Sequence, residues 1–194
     1  MRHWHVSFLS FCCFFMFLFF ILFLLTPYDE ISATRTWSFD LINKTCKTCS
    51  DKSIVFDYTF CFLSLQEVPV SHMTTLQGLG IVAMEVALQD ATRTLSVVRG
   101  LLRNDSSACL RDCDLIYFDG VVTLVDSVGA FLEGRYGDAG AWVTAVMDGT
   151  STCEEGFRDM DEVSPLTERN YSVFQLCDVA LCIMKLLNSD ALSF

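Results

Sequence analysis

Apolar residues recur at intervals of three and four along most of the chain, which is the spacing of an amphipathic helix. The longest such stretch runs from Ser71 to Arg103, and another runs from Cys109 to Leu132. A third is predicted from Asp138 to about Phe157, and a fourth opens at Thr167. The positions that follow this spacing, in chain order, are Leu76, Leu79, Val82, Ala83, Val86, Ala87, Ala91, Leu95, Val98 and Leu102; Leu110, Cys113, Tyr117, Val121, Leu124, Val125, Val128 and Leu132; Ala141, Trp142, Ala145, Val146 and Cys153; and Leu176, Val179, Ala180, Ile183, Met184 and Leu187.

A shorter helical hairpin is predicted before these helices, over residues 38–66, with a loop near residues 50–53. Residues 53–56 are the one short candidate strand. Because the connections between the four long helices are short, consecutive helices should be antiparallel neighbours. We therefore predict an all-α fold, in which an up-down-up-down four-helix bundle over residues 71–190 follows the N-terminal hairpin.

Several polar and glycine residues indicate where these helices begin, end or weaken. Ser71 or Thr74 is a candidate N-cap of the first long helix, and the serines after Asn104 are candidates for the next one. Gly78 and Gly80 lower helix propensity, so we expect a close helix contact near them. The segment around Gly149 and Thr150 is an expected weak point in the third long helix.

The first 33 residues are predicted to be a secretory signal peptide. Basic Arg2 precedes an uncharged run from Val6 to Tyr28, and the small residue Ala33 supplies a cleavage position. The mature domain would then span residues 34–194. The run also reaches the roughly 20 residues that span a bilayer, so an uncleaved membrane anchor is the alternative.

The chain is acidic, with a formal net charge of −11 at pH 7. Such a field repels nucleic acid phosphates and favours basic protein partners. We therefore expect no nucleic acid partner.

Cysteine is abundant. Ten cysteines occur, and eight remain if Cys12 and Cys13 leave with the leader. A secreted chain permits disulfides, but eight cysteines allow roughly a hundred pairings, so spacing alone assigns none. Cys46 and Cys49 have the Cys-x-x-Cys spacing of redox and zinc sites, yet neither a βαβ context nor a second ligand pair accompanies them. An extra bridge among Cys49, Cys109, Cys177 and Cys182 stays open.

The residues needed for catalysis are scarce. His72 would be the only histidine of the mature chain, and no nucleophile motif surrounds it. The acidic clusters at Asp112 and Asp114 and at residues 159–162 lack the alternating ligands and central glycine of a calcium loop, so we interpret them as solvated faces. We predict a protein that is not an enzyme and that uses no metal or cofactor.

Three sequons occur, at Asn43, Asn104 and Asn170. In a secreted eukaryotic chain they are candidate N-glycosylation sites, which would place all three asparagines on the surface.

A set of short motifs distributed over the chain resembles one protein family. These motifs are Thr45-Cys46-Lys47, Asp57-Tyr58-Thr59-Phe60-Cys61, Leu76-Gln77-Gly78-Leu79-Gly80, Asp112-Cys113, Thr152-Cys153-Glu154-Glu155-Gly156-Phe157, Val163-Ser164-Pro165-Leu166-Thr167 and Lys185-Leu186-Leu187. Together they resemble the plant invertase and pectin methylesterase inhibitors, and within them the group that includes a plane-tree pollen allergen. The resemblance covers nearly all of the chain after the leader.

The resemblance implies a fold and a function. The fold is a helical hairpin leaning out from a four-helix bundle, with two disulfides, Cys46 to Cys61 and Cys113 to Cys153. The function is inhibition of pectin methylesterase or of cell-wall or vacuolar invertase, by one-to-one binding that covers the active site. The location would be the apoplast or cell wall, with the vacuole as a second destination.

The resemblance also directs attention to Arg135 and Tyr136. Invertase inhibitors carry a Pro-Lys-Phe key between the second and third bundle helices, where this chain has Gly134-Arg135-Tyr136. Arg135 and Tyr136 are thus candidate partner contacts, although the proline is absent, and the alternative is that Tyr136 starts the next helix and packs on the bundle. The competing functional hypothesis is a secreted helical protein with a structural or ligand-binding role and no inhibitory activity.

Overall fold

The computed structural model describes residues 18, 21, 29–104 and 106–191. The chain divides into two compact units, Met1–Thr36 and Trp37–Phe194. Most of the predicted signal peptide, including Cys12 and Cys13, lies outside the described residues, and its cleavage stays a prediction. All of the architecture below from Trp37 onward belongs to the second unit.

The N-terminal hairpin consists of α1 (Asp29–Ser50) and α2 (Tyr58–Gln66), followed by a short 3-10 helix (Pro69–Met73). The α1 helix begins well before the predicted start at residue 38. Asp57 caps α2, because its side chain accepts a hydrogen bond from the Phe60 backbone N–H at 2.8 Å. Residues 53–56, the candidate strand, form the hairpin loop instead, and the described part of the chain contains no strand.

The bundle consists of α3 (Leu76–Leu102), α4 (Ala108–Leu132), α5 (Tyr136–Asp159) and α6 (Thr167–Ala191). Each helix packs on the next in the chain, and α6 also packs against α3, which closes the bundle. The predicted all-α fold, with a hairpin before a four-helix bundle, is confirmed.

The ends of the bundle helices follow from local hydrogen bonding. The N-cap of α3 is Thr75, whose side chain accepts from the Gly78 N–H, so both predicted caps of this helix were wrong. The 3-10 helix over Pro69–Met73 precedes Thr75, and the apolar spacing did not separate this short helix from α3. Ser107 caps α4 as expected.

Two helices end in the same hydrogen-bonding motif. After α4, Gly134 has a positive φ of 77°, and the N–H of Arg135 bonds back to the Ala130 carbonyl at 2.9 Å. After α5, Asp161 adopts φ 57°, and Glu162 bonds back to the Phe157 carbonyl. This is the Schellman arrangement, in which a left-handed residue reverses the chain and satisfies free carbonyls.

The predicted close contact near the glycines of α3 is present at Gly80. A Cβ placed there would lie 2.8 Å from Cζ of Phe131 on α4, so only glycine lets these helices approach as they do. In α5, the helix runs through Gly149 without a break, which corrects the expected weak point. A Cβ at Gly149 would lie 3.1 Å from Ile116 of α4, and packing against α4 thus accounts for this glycine.

One contiguous core links the bundle to the hairpin. Ile42, Phe56 and Leu65 of the hairpin belong to the same cluster of buried apolar residues as Leu79 and Phe131 of the bundle. The inward periodicity therefore identifies most of the core. It fails at Val125 and Leu132 of α4 and at Ala141, Trp142 and Ala145 of α5, which are exposed rather than buried.

Three disulfides join the described cysteines, one more than the resemblance implies. Cys46 is bonded to Cys61 within the hairpin, with the sulfurs 2.01 Å apart. Cys113 of α4 is bonded to Cys153 of α5, at 2.10 Å. The third bond, between Cys49 and Cys182, fastens the end of α1 to α6. The hairpin therefore does not lean out freely from the bundle, because a covalent bond holds it.

Candidate partner-binding site

The turn between α4 and α5 positions Arg135 and Tyr136. Arg135 is exposed, but its guanidinium contacts two carboxylates, Asp138 at 2.7 Å and Glu133 at 2.8 Å. Hydrogen bonds to Asp138 and then to Glu133 raise the pKa of Arg135 above its ordinary value. The same guanidinium lies 5.8 Å from the ring centroid of Trp142. The positive charge is thus already matched by local acidic groups.

Tyr136 is the first residue of α5 and is half-buried. Its ring centroid lies 4.8 Å from that of Phe131, with the ring planes tilted by 56°. This is a favourable edge-tilted aromatic contact with a fully buried residue. Tyr136 therefore anchors the start of α5 on the bundle, and Arg135 and Tyr136 do not form a projecting pair.

A different surface of α4 is unusually apolar. Five large apolar side chains are between 47 % and 62 % exposed, and they recur at intervals of three, four, three and seven residues along one side of the helix. This spacing aligns them on a single face. We call this set the α4 stripe, and its members are Leu115, Phe118, Val122, Val125 and Leu132.

Acidic residues border the α4 stripe. Asp119 and Asp126 lie on its margin and are exposed, and Glu133 follows its C-terminal end. Near its N-terminal end, Asp114 pairs with Arg99 of α3 at 2.8 Å, and the Arg99 guanidinium lies 5.8 Å from the Phe118 ring centroid. The surface therefore combines an apolar strip with a mostly negative border.

A buried polar network fixes the orientation of α4 beneath this surface. The Tyr117 hydroxyl of α4 donates to Oδ1 of Asn170 on α6 at 2.7 Å, and Asn170 Nδ2 donates to Oε2 of Glu154 on α5 at 2.7 Å. Thr167 donates to the other Glu154 oxygen at 2.6 Å. Because each bond joins different helices, the network holds three bundle helices in one relative position.

Two ionisable groups of this network have shifted pKa values. Burial is the main reason that the pKa of Tyr117 lies well above its ordinary value, so its hydroxyl stays protonated and can donate. For Glu154, burial raises the pKa, but hydrogen bonds from Thr167, Asn170 and Ser164 outweigh it and lower the pKa below the ordinary value. The carboxylate is therefore held in its charged, accepting form.

The three predicted glycosylation asparagines differ in environment. Asn104 is exposed in the turn after α3. Asn43 is half-buried, and its Oδ1 accepts a hydrogen bond from the Tyr58 hydroxyl. Asn170 is only 4 % exposed and carries the network above, so the prediction that it lies on the surface was wrong. A glycan on Asn170 would be attached to Nδ2, the atom that donates to Glu154 Oε2 and contacts Cys153 Sγ.

The remaining cysteines and acidic clusters have structural environments. Cys109 and Cys177 are unbridged and buried, and burial raises the pKa of Cys177 to about 12, which leaves its thiol protonated and unreactive. Asp112 and residues 159, 161 and 162 are exposed. Among the described residues, no group of three potential metal ligands comes together. The side chain of His72 lies outside the described part of the structure.

The sequence carried a signal for the α4 stripe that periodicity alone did not isolate. Apolar residues of α4 occupy more than the single face that a core contact needs, and the predicted inward set already contained Val125 and Leu132. By length and composition α4 is even apolar enough to cross a membrane, as core helices of other proteins also are. Counting apolar residues on both faces of α4 would have revealed the excess.

Comparison with known proteins shows a consistent family. Residues 40–183 match the family described as "Plant invertase/pectin methylesterase inhibitor". A "Putative invertase inhibitor" of Platanus orientalis is 31 % identical over 157 residues, which cover 78 % of this chain and 92 % of that protein. A "Pectinesterase inhibitor" of Actinidia deliciosa is 25 % identical over 152 residues, or 76 % of this chain and 79 % of that protein.

Solved structures agree with the fold. A mutant form of a pectin methylesterase inhibitor from Arabidopsis has a TM-score of 0.62 at 21 % identity, covering 72 % of this chain and 95 % of the other. A second structure of such an inhibitor from Arabidopsis thaliana has a TM-score of 0.55, also at 21 % identity, covering 76 % and 96 %. These relatives are inhibitor proteins and not enzymes. The chain belongs to the plant invertase/pectin methylesterase inhibitor family.

Proposed function

We propose that this protein is a secreted inhibitor that binds a plant cell-wall carbohydrate enzyme one to one and covers its active site. The target is pectin methylesterase or acid invertase, the two enzymes for which relatives are named. The inhibitor contributes no chemistry of its own, since occlusion of a cleft needs only a rigid complementary surface.

The α4 stripe is the observation that supports this proposal best. From Leu115 to Leu132 it extends for about 25 Å, at a rise of about 1.5 Å per residue. Contiguous exposed apolar surface with a polar border is typical of a protein interface. The Tyr117 network beneath it keeps the helix in place, so little conformational entropy would be lost on binding.

The negative charge along the border of the α4 stripe indicates a partner with a basic surface. Asp119 and Asp126 would oppose a second copy of the same acidic surface, whereas a basic enzyme surface would complement them. Arg135 and Tyr136 take a secondary role in this proposal. The cation of Arg135 is matched by Asp138 and Glu133, and Tyr136 is packed on Phe131.

Secretion to the apoplast is part of the same proposal. Residues 1–33 would be removed as a signal peptide, and residues 34–194 would form the mature inhibitor. Three disulfides are consistent with an oxidising compartment. N-terminal sequencing of protein secreted from plant cells tests this directly, and a retained N-terminal segment in a membrane fraction would contradict it.

The inhibition itself is tested by titration. Purified mature protein is added, at mildly acidic pH, to a pectin methylesterase and separately to a cell-wall invertase, and residual activity is followed. We expect one of the two activities to fall to an endpoint at one inhibitor per enzyme, and the enzyme that is lost identifies the target. Full activity of both enzymes at excess inhibitor would overturn the proposal.

Surface variants locate the contact. Val122→Lys places a cation in the middle of the α4 stripe and should weaken inhibition by at least about tenfold, as expected for a charge buried at an interface. Ile54→Lys is the matched control, because Ile54 is fully exposed on the hairpin loop, which is hydrogen-bonded to α6. Equal inhibition by both variants, each with wild-type melting, would remove the stripe from the interface. A stronger loss for Arg135→Ala would return the contact to the α4–α5 turn.

A further inference from the structure

The Cys49–Cys182 disulfide lies at a cleft between the hairpin loop and α6. The cleft has a volume of about 360 Å³, and both cysteines contribute to its lining. Lys52, Ser53, Asp178 and Lys185 are among the other residues that line it. This bond therefore borders an open cleft, and it is also the covalent link between the hairpin and the bundle.

The six bridged cysteines differ in accessibility. In the two internal bonds all four sulfurs are shielded, because none of their cysteines is more than 2 % exposed: Cys46, Cys61, Cys113 and Cys153. Cys49 is fully buried as well, but Cys182 is half-buried and faces the cleft. Thiol–disulfide exchange requires that a thiolate reach one sulfur of the bond. Among these bonds, Cys49–Cys182 offers the best access.

The local charge also favours exchange at this bond. Lys52 and Lys185 line the cleft in a chain whose net charge is −11. Nearby cations stabilise thiolates, both the attacking one and the one that leaves. The cleft also contains one carboxylate, Asp178, which accepts a hydrogen bond from the Ser53 hydroxyl at 2.7 Å and opposes thiolate formation, but the two lysines outnumber it.

Hydrogen bonds also join the hairpin loop to α6. The Val55 carbonyl accepts hydrogen bonds from the Tyr171 hydroxyl and from Gln175 Nε2, both at 2.9 Å. With the Ser53–Asp178 bond, these contacts follow one face of α6 that ends at Cys182. The disulfide thus closes a line of polar contacts that are partly exposed to water.

We infer that Cys49–Cys182 is a reducible latch that controls how firmly the hairpin is held on the bundle. The co-reactant is a dithiol reductant, in the form of a small molecule or a protein. One of its thiolates attacks Sγ of Cys182, forms a mixed disulfide and displaces Cys49 as a thiolate. Its second thiolate then attacks the mixed disulfide and releases Cys182. The reductant ends as a disulfide, and the two cysteine thiolates take up one proton each from water.

Opening the latch leaves both internal bridges closed. Cys46–Cys61 keeps the hairpin folded within itself, and Cys113–Cys153 keeps α4 joined to α5. The expected product is a protein with an intact bundle and a loosened hairpin. This inference is independent of which enzyme, if any, the α4 stripe binds.

Selective reduction is the first measurement. Folded protein is exposed to increasing dithiothreitol, quenched with iodoacetamide, and mapped by mass spectrometry. We expect Cys49 and Cys182 to be labelled at least about tenfold faster than the other bridged cysteines, because access limits the exchange. Labelling of Cys46 and Cys61, or of Cys113 and Cys153, at the same rate or earlier would overturn the inference.

Hydrogen exchange tests whether the hairpin responds. After selective reduction, amides of the hairpin loop and α2 should exchange at least about tenfold faster, with those of α4 unchanged. The double variant Cys49→Ser/Cys182→Ser should show the faster exchange without reductant and no further response to it. Unchanged hairpin exchange after the bond is opened would show that it is not a latch.

Substitution of the two lysines in the cleft tests whether their charge speeds the reduction. Lys52→Gln/Lys185→Gln should slow the reduction of Cys49–Cys182 severalfold without altering hairpin exchange in the oxidised protein. An unchanged rate would remove the electrostatic part of the argument.

Discussion

The hairpin and the bundle are stabilised in different ways. The four bundle helices have 24 to 27 residues each and enclose a continuous apolar core, with one disulfide between α4 and α5. The α2 helix of the hairpin has only nine residues, and α2 together with residues 40–50 of α1 contributes few buried side chains. Two of the three disulfides end in the hairpin.

The difference reflects how much apolar surface each part can bury. The α2 helix and residues 40–50 of α1 remove little apolar area from water to offset their conformational entropy, so covalent links restrict the unfolded state of this part instead. The bundle buries enough to fold as a cooperative unit, and its polar network then selects one packing arrangement. Local opening should therefore begin in the hairpin, and global unfolding should depend on the bundle.

Among the two internal disulfides, the buried network and the hairpin hydrogen bonds, the largest expected loss of stability comes from removing a disulfide. In each variant both cysteines of one bond are replaced. Cys113→Ser/Cys153→Ser should lower the free energy of global unfolding by about 4 kcal/mol, for a sequence separation of 40 residues. Cys46→Ser/Cys61→Ser, with a separation of 15, should cost about 3 kcal/mol and should appear first as local opening of α2. Denaturant unfolding combined with hydrogen exchange distinguishes the two. If both variants lose stability only in a single global transition, the hairpin and the bundle unfold together and not as separate units.

The next effect concerns the buried network of the bundle. Asn170→Ala leaves the Tyr117 hydroxyl without its acceptor and the Glu154 carboxylate without one donor, which should cost about 2–3 kcal/mol. Asn104→Ala is the control, because Asn104 is exposed and its loss should change stability by less than about 0.5 kcal/mol. Denaturant titration measures both. Equal stability of the two variants would show that the network does not hold the bundle.

A smaller effect is expected from acid. The pKa of Glu154 in the folded state lies below its ordinary value of 4.5, so the unfolded chain binds its proton first as the pH falls. The stabilisation is therefore complete above about pH 4.5 and is lost as the pH decreases through the folded-state pKa. Glu154→Gln should be less stable than wild type near neutral pH and should lose less stability on acidification.

The acid measurement consists of urea unfolding of both proteins between about pH 6 and pH 3. The difference in unfolding free energy between them should narrow as the pH falls. A constant difference over this range would show that the charged form of Glu154 is not the stabilising one.

The smallest effect lies in the hairpin. Tyr171→Phe or Gln175→Ala removes one of two donors to the Val55 carbonyl and should cost about 0.5 kcal/mol or less, because the other donor remains. The double variant should cost more than the sum of the two, since the carbonyl then loses both partners. Hydrogen exchange at residues 54–57 reports the change. Simple additivity would mean that water replaces these donors without loss.

The helices themselves could be predicted because their signals are local. Apolar periodicity and the capping side chain of Ser107 both act within a few residues. The helix α4 was predicted to within one residue at its start, and α6 began at the expected Thr167. The start of α3 was wrong by several residues, because a 3-10 helix and an α-helix share similar apolar spacing over one turn.

The candidate site was less predictable, because it depends on which neighbours each residue meets. Arg135 and Tyr136 were singled out by their place in the chain, yet Arg135 contacts Asp138 and Glu133, and Tyr136 contacts Phe131. Asn170 lies in a sequon that predicts a surface position, and only the approach of α4 and α5 buries it. The residues of the α4 stripe are of the same types as the residues of the core, so residue type alone could not show that they are exposed.

Two kinds of information thus determined this protein. The linear order of apolar, capping and glycine residues was sufficient for an all-α chain with a hairpin and four long helices, since helix formation depends on residues three and four apart. Tertiary packing alone decided that Cys49 meets Cys182, that Asn170 is buried and that Val122 and Val125 face solvent. These features join or separate residues that are distant in sequence, and their energies arise from contacts that exist only once the helices are assembled.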